Sequence, residues 1–128
     1  MNSPFDSASA HAKLCRQQRG VGSPPPPYRG ESLKGADLRQ ANLSGGNFRG
    51  IDFSGADLTD ADLSGADLSG SLLACADLSH ASAVETDFSF ADLQEANFFR
   101  ADLRGASLSG SYLRECIFEK TQLSGVLY

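Results

Sequence analysis

The chain repeats with a period of five residues from Glu31 to Tyr128, without one insertion or deletion. The third residue of each unit, which we call the centre, is Leu in thirteen of twenty units and Phe in five more. The residue two positions before the centre is mostly Ala or another small residue, and the residue directly before it is mostly Asp or Asn. A register this strict restricts the possible folds more than composition does.

Neither an α-helix nor a flat strand accounts for this period. Five residues advance about 140° net on a helix, so the centres would spiral around every side. On a flat strand an odd period sends successive centres to opposite faces. The pattern is satisfied when each unit is a short extended segment followed by a turn, because every centre then points the same way. The repeat therefore predicts an all-β solenoid with the centres and the small residues inside.

The turns have the residue types that this geometry needs. A type II turn requires a positive φ angle at its third position, which Gly adopts without steric cost. Asp and Asn before the centre are able to hydrogen-bond to nearby backbone in such turns. The fifth residue of the unit is Gly nine times, at Gly35, Gly45, Gly50, Gly55, Gly65, Gly70, Gly105, Gly110 and Gly125.

Units such as Ala56–Asp60, Ala61–Gly65 and Ala66–Gly70 resemble the A(D/N)LXX motif of pentapeptide repeat proteins. The resemblance covers about three quarters of the chain. It implies a right-handed quadrilateral β-helix with four units per coil, a number that the five-residue spacing alone does not determine. The twenty units would then make just under five coils, roughly 24 Å tall at about 4.8 Å per layer.

The chain divides into three parts. Residues 1–20 are a tail, either a short capping helix beginning at Ser3 and Pro4 or a disordered segment. Residues 21–30 include four consecutive prolines and are expected to form an extended, stiff linker. Residues 31–128 are the repeat domain.

Charge and hydropathy exclude several classes of protein. Residues 1–30 have a net charge of 4 − 1 = +3, whereas residues 31–128 have 7 − 15 = −8. An acidic domain repels nucleic acid, so no direct nucleic-acid binding is expected, and it attracts basic partners. The longest apolar run, Leu72–Ala76, is far shorter than the ~18 residues of a membrane span. No secretory segment follows Met1, so a cytoplasmic location is expected.

No catalytic, cofactor or metal site is expected, and we predict a non-enzymatic protein. The chain has two histidines, His11 in the tail and His80 on an edge, and no Ser or Cys nucleophile is placed beside His80 by spacing. Three cysteines are too few and too scattered for a zinc site or a disulfide scaffold. Cys75 is expected to point outward and Cys116 inward, too far apart for a disulfide.

One edge of the square differs from the other three, because none of its layers has Gly. Its residue pairs are Arg39–Gln40, Thr59–Asp60, Ser79–His80, Phe99–Arg100 and Glu119–Lys120. Two explanations are open: a different turn type along that corner, or a polar strip that contacts a partner. Exposed aromatic and Arg side chains are typical binding anchors. The predicted interaction residues are Arg39, Gln40, Asp60, His80, Phe99, Arg100 and Lys120, together with Phe90 in the Gly-free segment from Ser71 to Arg104.

The last layer is the second candidate contact surface. Val126, Leu127 and Tyr128 are expected to be exposed there, which predicts end-to-end homodimers. Two functions remain open. The first is a rigid scaffold that binds an unidentified protein. The second follows from the resemblance, since some pentapeptide repeat proteins imitate DNA and inhibit or protect DNA gyrase, although this chain lacks their C-terminal dimerisation helix and loop excursions.

Overall fold

The computed structural model describes residues 32–128, and the tail and linker predicted for residues 1–30 lie outside them. Every β-bridge is parallel and joins residues twenty positions apart, as Asp37 to Asp57 and Asp57 to Asp77. Four five-residue units therefore complete one coil. The fold is a right-handed quadrilateral β-helix, as the resemblance implied. Each side contains one bridging residue rather than a longer strand, because a turn follows directly.

Three kinds of backbone hydrogen bond build each coil. On a side, the Leu38 N–H donates to the Asp57 carbonyl at 2.8 Å, and the Asp57 N–H donates to the Ala36 carbonyl at 2.9 Å. At a corner, the Gln40 N–H donates to the Thr59 carbonyl of the next coil at 2.9 Å. Each turn is closed within its own coil, as where the Ala41 N–H donates to the Leu38 carbonyl at 3.0 Å. The ladder thus continues through the corners as well as along the sides.

The centres form one continuous core along the solenoid axis. From Leu33 to Leu108 every centre is at most 2% exposed. Aromatic centres contact each other across layers: the rings of Phe98 and Phe118 are stacked with centroids 5.5 Å apart, and Phe88 meets Phe98 edge-on at 5.8 Å. Burial of each such side chain stabilises the fold by about 1.5–3 kcal/mol.

The Asp and Asn residues before the centres cap the turns, which confirms their predicted role. Asp57 Oδ1, for example, accepts hydrogen bonds from the backbone N–H of Thr59 at 3.0 Å and from its hydroxyl at 2.6 Å. The same bond to the residue two positions later recurs in all four columns, as at Asp52, Asp62 and Asp67. These carboxylates are therefore structural parts of the turn.

Gly46 occupies an inward position that is usually Ala, and the structure shows why. A Cβ atom at Gly46 would lie 2.8 Å from Cζ of Phe48 and closer still to Cε2. The ring of Phe48 is fully buried and meets the ring of Phe53 edge-on, with centroids 5.7 Å apart. The first coil therefore replaces the usual Ala–Leu pair by a Gly–Phe pair of similar combined volume.

Candidate interaction surface

The Gly-free edge, defined as residue pairs 39–40, 59–60, 79–80, 99–100 and 119–120, has the same turn as the other corners. Its fifth-position residues have φ angles of 57–61°, and each turn is closed by the usual hydrogen bond, as from the Ala81 N–H to the Leu78 carbonyl at 3.0 Å. The explanation by a different turn type is therefore wrong. The helix geometry imposes a left-handed backbone at every corner, whichever residue is there. The five residues that adopt it on this edge are Gln40, Asp60, His80, Arg100 and Lys120.

The C-terminal half of this edge assembles an aromatic and cationic cluster. The imidazole of His80 meets the ring of Phe99 edge-on, with centroids 5.9 Å apart and planes at 88°. The guanidinium carbon of Arg100 lies 5.4 Å from the centroid of the same ring, within the range of a cation–π interaction. Phe99 is half-buried, whereas His80, Arg100 and Lys120 of the next coil are exposed. The structure thus brings three of the predicted residues, His80, Phe99 and Arg100, into contact, with Lys120 one coil further along the same edge.

The N-terminal half of the edge is different, because its cation is already paired. Arg39 donates two hydrogen bonds to Asp37, from Nε at 2.8 Å and from Nη2 at 2.6 Å. This pairing lowers the pKa of Asp37 from 3.8 to about 2. A shallow cleft of about 400 Å³ lies beside the pair, lined by these two residues with Gln40, Thr59 and Asp60. A partner would find a neutralised ion pair there, and further along the edge it would find cations that form no ion pair within residues 32–128.

Phe90 does not lie on the Gly-free edge with the other predicted residues. It occupies the corner two units further along the coil, which is diagonally across the square, in one column with Gly50, Gly70 and Gly110. Its φ angle is 60° and its side chain is 71% exposed. The ring covers Gly110 of the next coil, where an added Cβ would lie 2.6 Å from two ring carbons. Phe90 therefore belongs to a separate surface.

Cys75 and Cys116, the cysteines among residues 32–128, lie on the sides predicted for them, and neither thiol is an activated nucleophile. Cys75 is exposed, and its thiol donates to the Glu95 carboxylate at 3.5 Å, which raises the pKa of Cys75. The Cys116 thiol donates to the Leu93 carbonyl at 2.7 Å, and burial raises the pKa of Cys116 to about 11. Among residues 32–128, no three His, Cys, Asp or Glu side chains are grouped to hold a metal ion.

The charged residues of the repeat domain form three zones along its axis, which the net charge of the whole domain does not reveal. Residues 50–99 contain ten Asp or Glu residues and no Lys or Arg. This acidic belt occupies two and a half coils, whereas Lys34, Arg39 and Arg49 lie below it and four basic residues follow from Arg100 onward. A count of charges coil by coil reveals the belt, which the net charge of the whole domain conceals.

The last coil is less covered than the others. Leu113, Phe118 and Leu123 are only partly buried, and so is Val126, while Leu127 and Tyr128 are 61% and 74% exposed. Within the described residues, the centre N–H groups of this coil have no further coil to donate to, and the ladder ends with the bond from Leu108 to Leu127. None of residues 32–128 belongs to a helix with the length and apolar character of a transmembrane segment.

Comparison with known proteins agrees with this geometry. The family model for pentapeptide repeats matches in eight copies, over residues 32–70, 61–98, 71–110 and 91–127. A solved pentapeptide repeat protein of the Arabidopsis thaliana thylakoid lumen is 30% identical, with a TM-score of 0.71 over 73% of this chain and 66% of that one.

A second solved structure is HetL, a pentapeptide repeat protein involved in the regulation of heterocyst differentiation in the cyanobacterium Nostoc. It is 27% identical, with a TM-score of 0.61 over 74% of this chain and 56% of HetL. This chain thus spans less than two thirds of the length of either protein. No curated protein sequence matches it.

Proposed function

Because this chain belongs to the pentapeptide repeat family, we propose that it is a non-catalytic rod that binds another protein through the Gly-free edge. The observation that carries the proposal is the cluster of His80, Phe99 and Arg100. A residue other than Gly at a left-handed position costs about 1–2 kcal/mol. On this edge all five layers have a residue other than Gly at the left-handed position, despite this conformational cost. The edge therefore has side chains where the backbone favours Gly.

The chemistry of the cluster supports one kind of partner. Aromatic residues and Arg are enriched in protein interfaces, where a few residues carry most of the binding energy. Phe99 offers a half-buried ring, Arg100 places an exposed cation beside it, and Lys120 adds a second exposed cation in the next coil of the edge. Such a surface fits a partner segment that combines a carboxylate with an apolar side chain, because a cation stacked on a ring still has free N–H donors.

The test is affinity capture with the full chain as bait, compared across single variants. Phe99→Ala and Arg100→Gln should each lose a protein that the unmodified chain retains. Arg104→Gln is the matched control, since it removes the same charge from a residue that is paired with Asp102 on another corner. The proposal is wrong if all four baits retain the same proteins.

Mimicry of DNA is the second candidate, and the acidic belt favours it. Ten carboxylates lie in residues 50–99, which rise by about 12 Å at ~4.8 Å per coil. A DNA duplex of that length carries about seven phosphates, so the belt has at least the linear charge density of DNA. Inhibition of gyrase supercoiling by the full chain would support this function, and unchanged supercoiling in excess protein would exclude it.

We also propose that two chains associate through the last coil, by way of Val126, Leu127 and Tyr128. The exposed apolar side chains and the open backbone ladder support this contact. Light scattering should give twice the mass of the chain for the full-length protein and the monomer mass for a variant that ends at Gly125. A full-length monomer would contradict the proposal.

A further inference from the structure

A second contact surface surrounds Phe90, on the corner diagonally opposite the Gly-free edge. Three exposed apolar side chains, those of Phe90, Leu72 and Tyr112, lie near one another there. Leu72, Asp92 and Tyr112 follow one another in a single outward column, joined by bridges between successive coils. Phe90 precedes Asp92 by two residues, and its ring lies over Gly110, which precedes Tyr112 by two. Leu72 and Tyr112 are 45% and 63% exposed.

Phe90 is the residue least expected at its position. A bulky residue with a positive φ angle is a conformational outlier, and the other described corners of its column are all Gly. The ring gains little burial in return, since it is 71% exposed. The fold imposes the left-handed backbone at this corner, but it does not need a bulky residue there. The strain of Phe in place of Gly is therefore an observation from which function is inferred. Neither turn geometry nor core packing explains an aromatic side chain here.

The surrounding charges specify the partner. Asp87, Asp92 and Glu95 lie on the same or adjacent sides of the solenoid, in coils at the height of Phe90. Residues 50–99 contain no Lys or Arg, and Arg114, two residues after Tyr112 in the coil above, donates to Gln94 Oε1 at 3.2 Å. None of the three carboxylates has an ion pair within the described residues. An apolar anchor within a surface where three carboxylates outnumber one Arg is complementary to an apolar pocket with a basic rim.

We propose that Phe90, flanked by Leu72 and Tyr112, is the anchor of a second protein-binding surface, whose partner has an apolar pocket rimmed by Lys or Arg. The chain then presents two different surfaces on opposite corners of one rod. The Gly-free edge suits an acidic partner segment, and the Phe90 surface suits a basic one. This inference does not depend on the Gly-free edge, because the two surfaces share no residue.

The structure offers a variant that removes the anchor without harming the fold. Phe90→Gly installs the residue that occupies the same column at Gly50, Gly70 and Gly110, so its melting temperature should equal or exceed that of the unmodified chain. Glu85→Gly is the matched control. Glu85 also has a left-handed backbone between corners occupied by Gly65 and Gly105, and its side chain likewise lies over the Gly of the next coil.

The probe is a library of random twelve-residue peptides displayed on phage. Peptides are selected on the immobilised full chain and depleted on the Phe90→Gly variant. The enriched peptides should combine aliphatic or aromatic residues with Lys or Arg. Synthetic copies should bind Phe90→Gly at least about tenfold more weakly, bind Glu85→Gly and Arg100→Gln unchanged, and lose affinity as salt is raised.

Three results would overturn the inference. The first is that no peptide distinguishes the unmodified chain from Phe90→Gly. The second is that the distinguishing peptides are acidic. The third is a lower melting temperature for Phe90→Gly, which would assign the ring to stabilisation of the corner at Gly110. Arg100→Gln tests the Gly-free edge and Phe90→Gly tests the Phe90 surface. A negative result for one surface therefore does not decide the proposal for the other.

Discussion

The packing of Gly46 against Phe48 gives the sharpest prediction for the core. Gly46→Ala would place a methyl group where the Phe48 ring lies. Because the ring is fully buried and packed against Phe53, it has to turn into space that other core atoms occupy. Such overpacking typically costs about 1–3 kcal/mol.

The structure also limits how large this effect will be. Phe88 occupies the corresponding centre two coils later, with Thr86 two positions before it, and both residues are fully buried. A Phe centre is thus compatible with a Cβ two positions earlier when its ring takes another direction. Gly46→Ala is therefore expected to fold, with a melting temperature lower by roughly 4–20 °C for a domain of this size.

A double-mutant cycle tests the cause. Phe48→Leu alone leaves a cavity and should also destabilise the fold. Gly46→Ala combined with Phe48→Leu recreates the Ala66–Leu68 pair that occupies the same positions one coil later. The double variant should therefore be more stable than the sum of the two single effects predicts, by about 1 kcal/mol or more. Chemical denaturation of the four proteins measures this coupling, and strictly additive effects would refute the packing argument.

Two further predictions concern ionisable groups. In a Cys15→Ser background, a thiol reagent at pH 8 should modify Cys75 at least about tenfold faster than Cys116, because burial holds the Cys116 thiol protonated; equal rates in the folded protein would contradict this. The carboxyl of Asp37 should titrate near pH 2 by NMR and move toward 3.8 in Arg39→Gln. Because the pKa of Asp37 is lower in the folded than in the unfolded chain, the stabilisation that its pairing with Arg39 gives the fold is present above pH 3.8 and is lost as the pH falls toward 2. An unchanged titration in the variant would show that Arg39 is not the cause.

The fold was predictable because local pattern and global geometry agree at nearly every unit. The inward Leu and Phe centres, the small residues and the Asp caps each lie where the five-residue period places them. The number of sides was not predictable from the period, since a corner angle is a property of backbone dihedrals. It came from the resemblance, and the bridge from Asp37 to Asp57 confirms it.

The candidate surface was predictable only in part. The absence of Gly identified the edge but left a different turn type open there, because propensity favours Gly at positive φ while the stacked coils impose that φ on any residue. The cluster of His80, Phe99 and Arg100 depends on ring orientations that no spacing encodes. Phe90 was predicted as an interaction residue of the Gly-free segment, and its place in the five-residue register assigns it to the opposite corner.

On the proposed function, the fifth-position side chains of the Gly-free edge serve recognition rather than folding. The most direct test is the stability of one variant in which Gly replaces Gln40, Asp60, His80, Arg100 and Lys120 together. Relief of left-handed strain, about 1–2 kcal/mol per residue, exceeds the roughly 0.5–1 kcal/mol entropy cost of each Gly. The lost contacts with the Phe99 ring are worth about 1–2 kcal/mol in all. A free energy of unfolding at least equal to that of the unmodified chain is predicted, and a clearly lower value would contradict the claim.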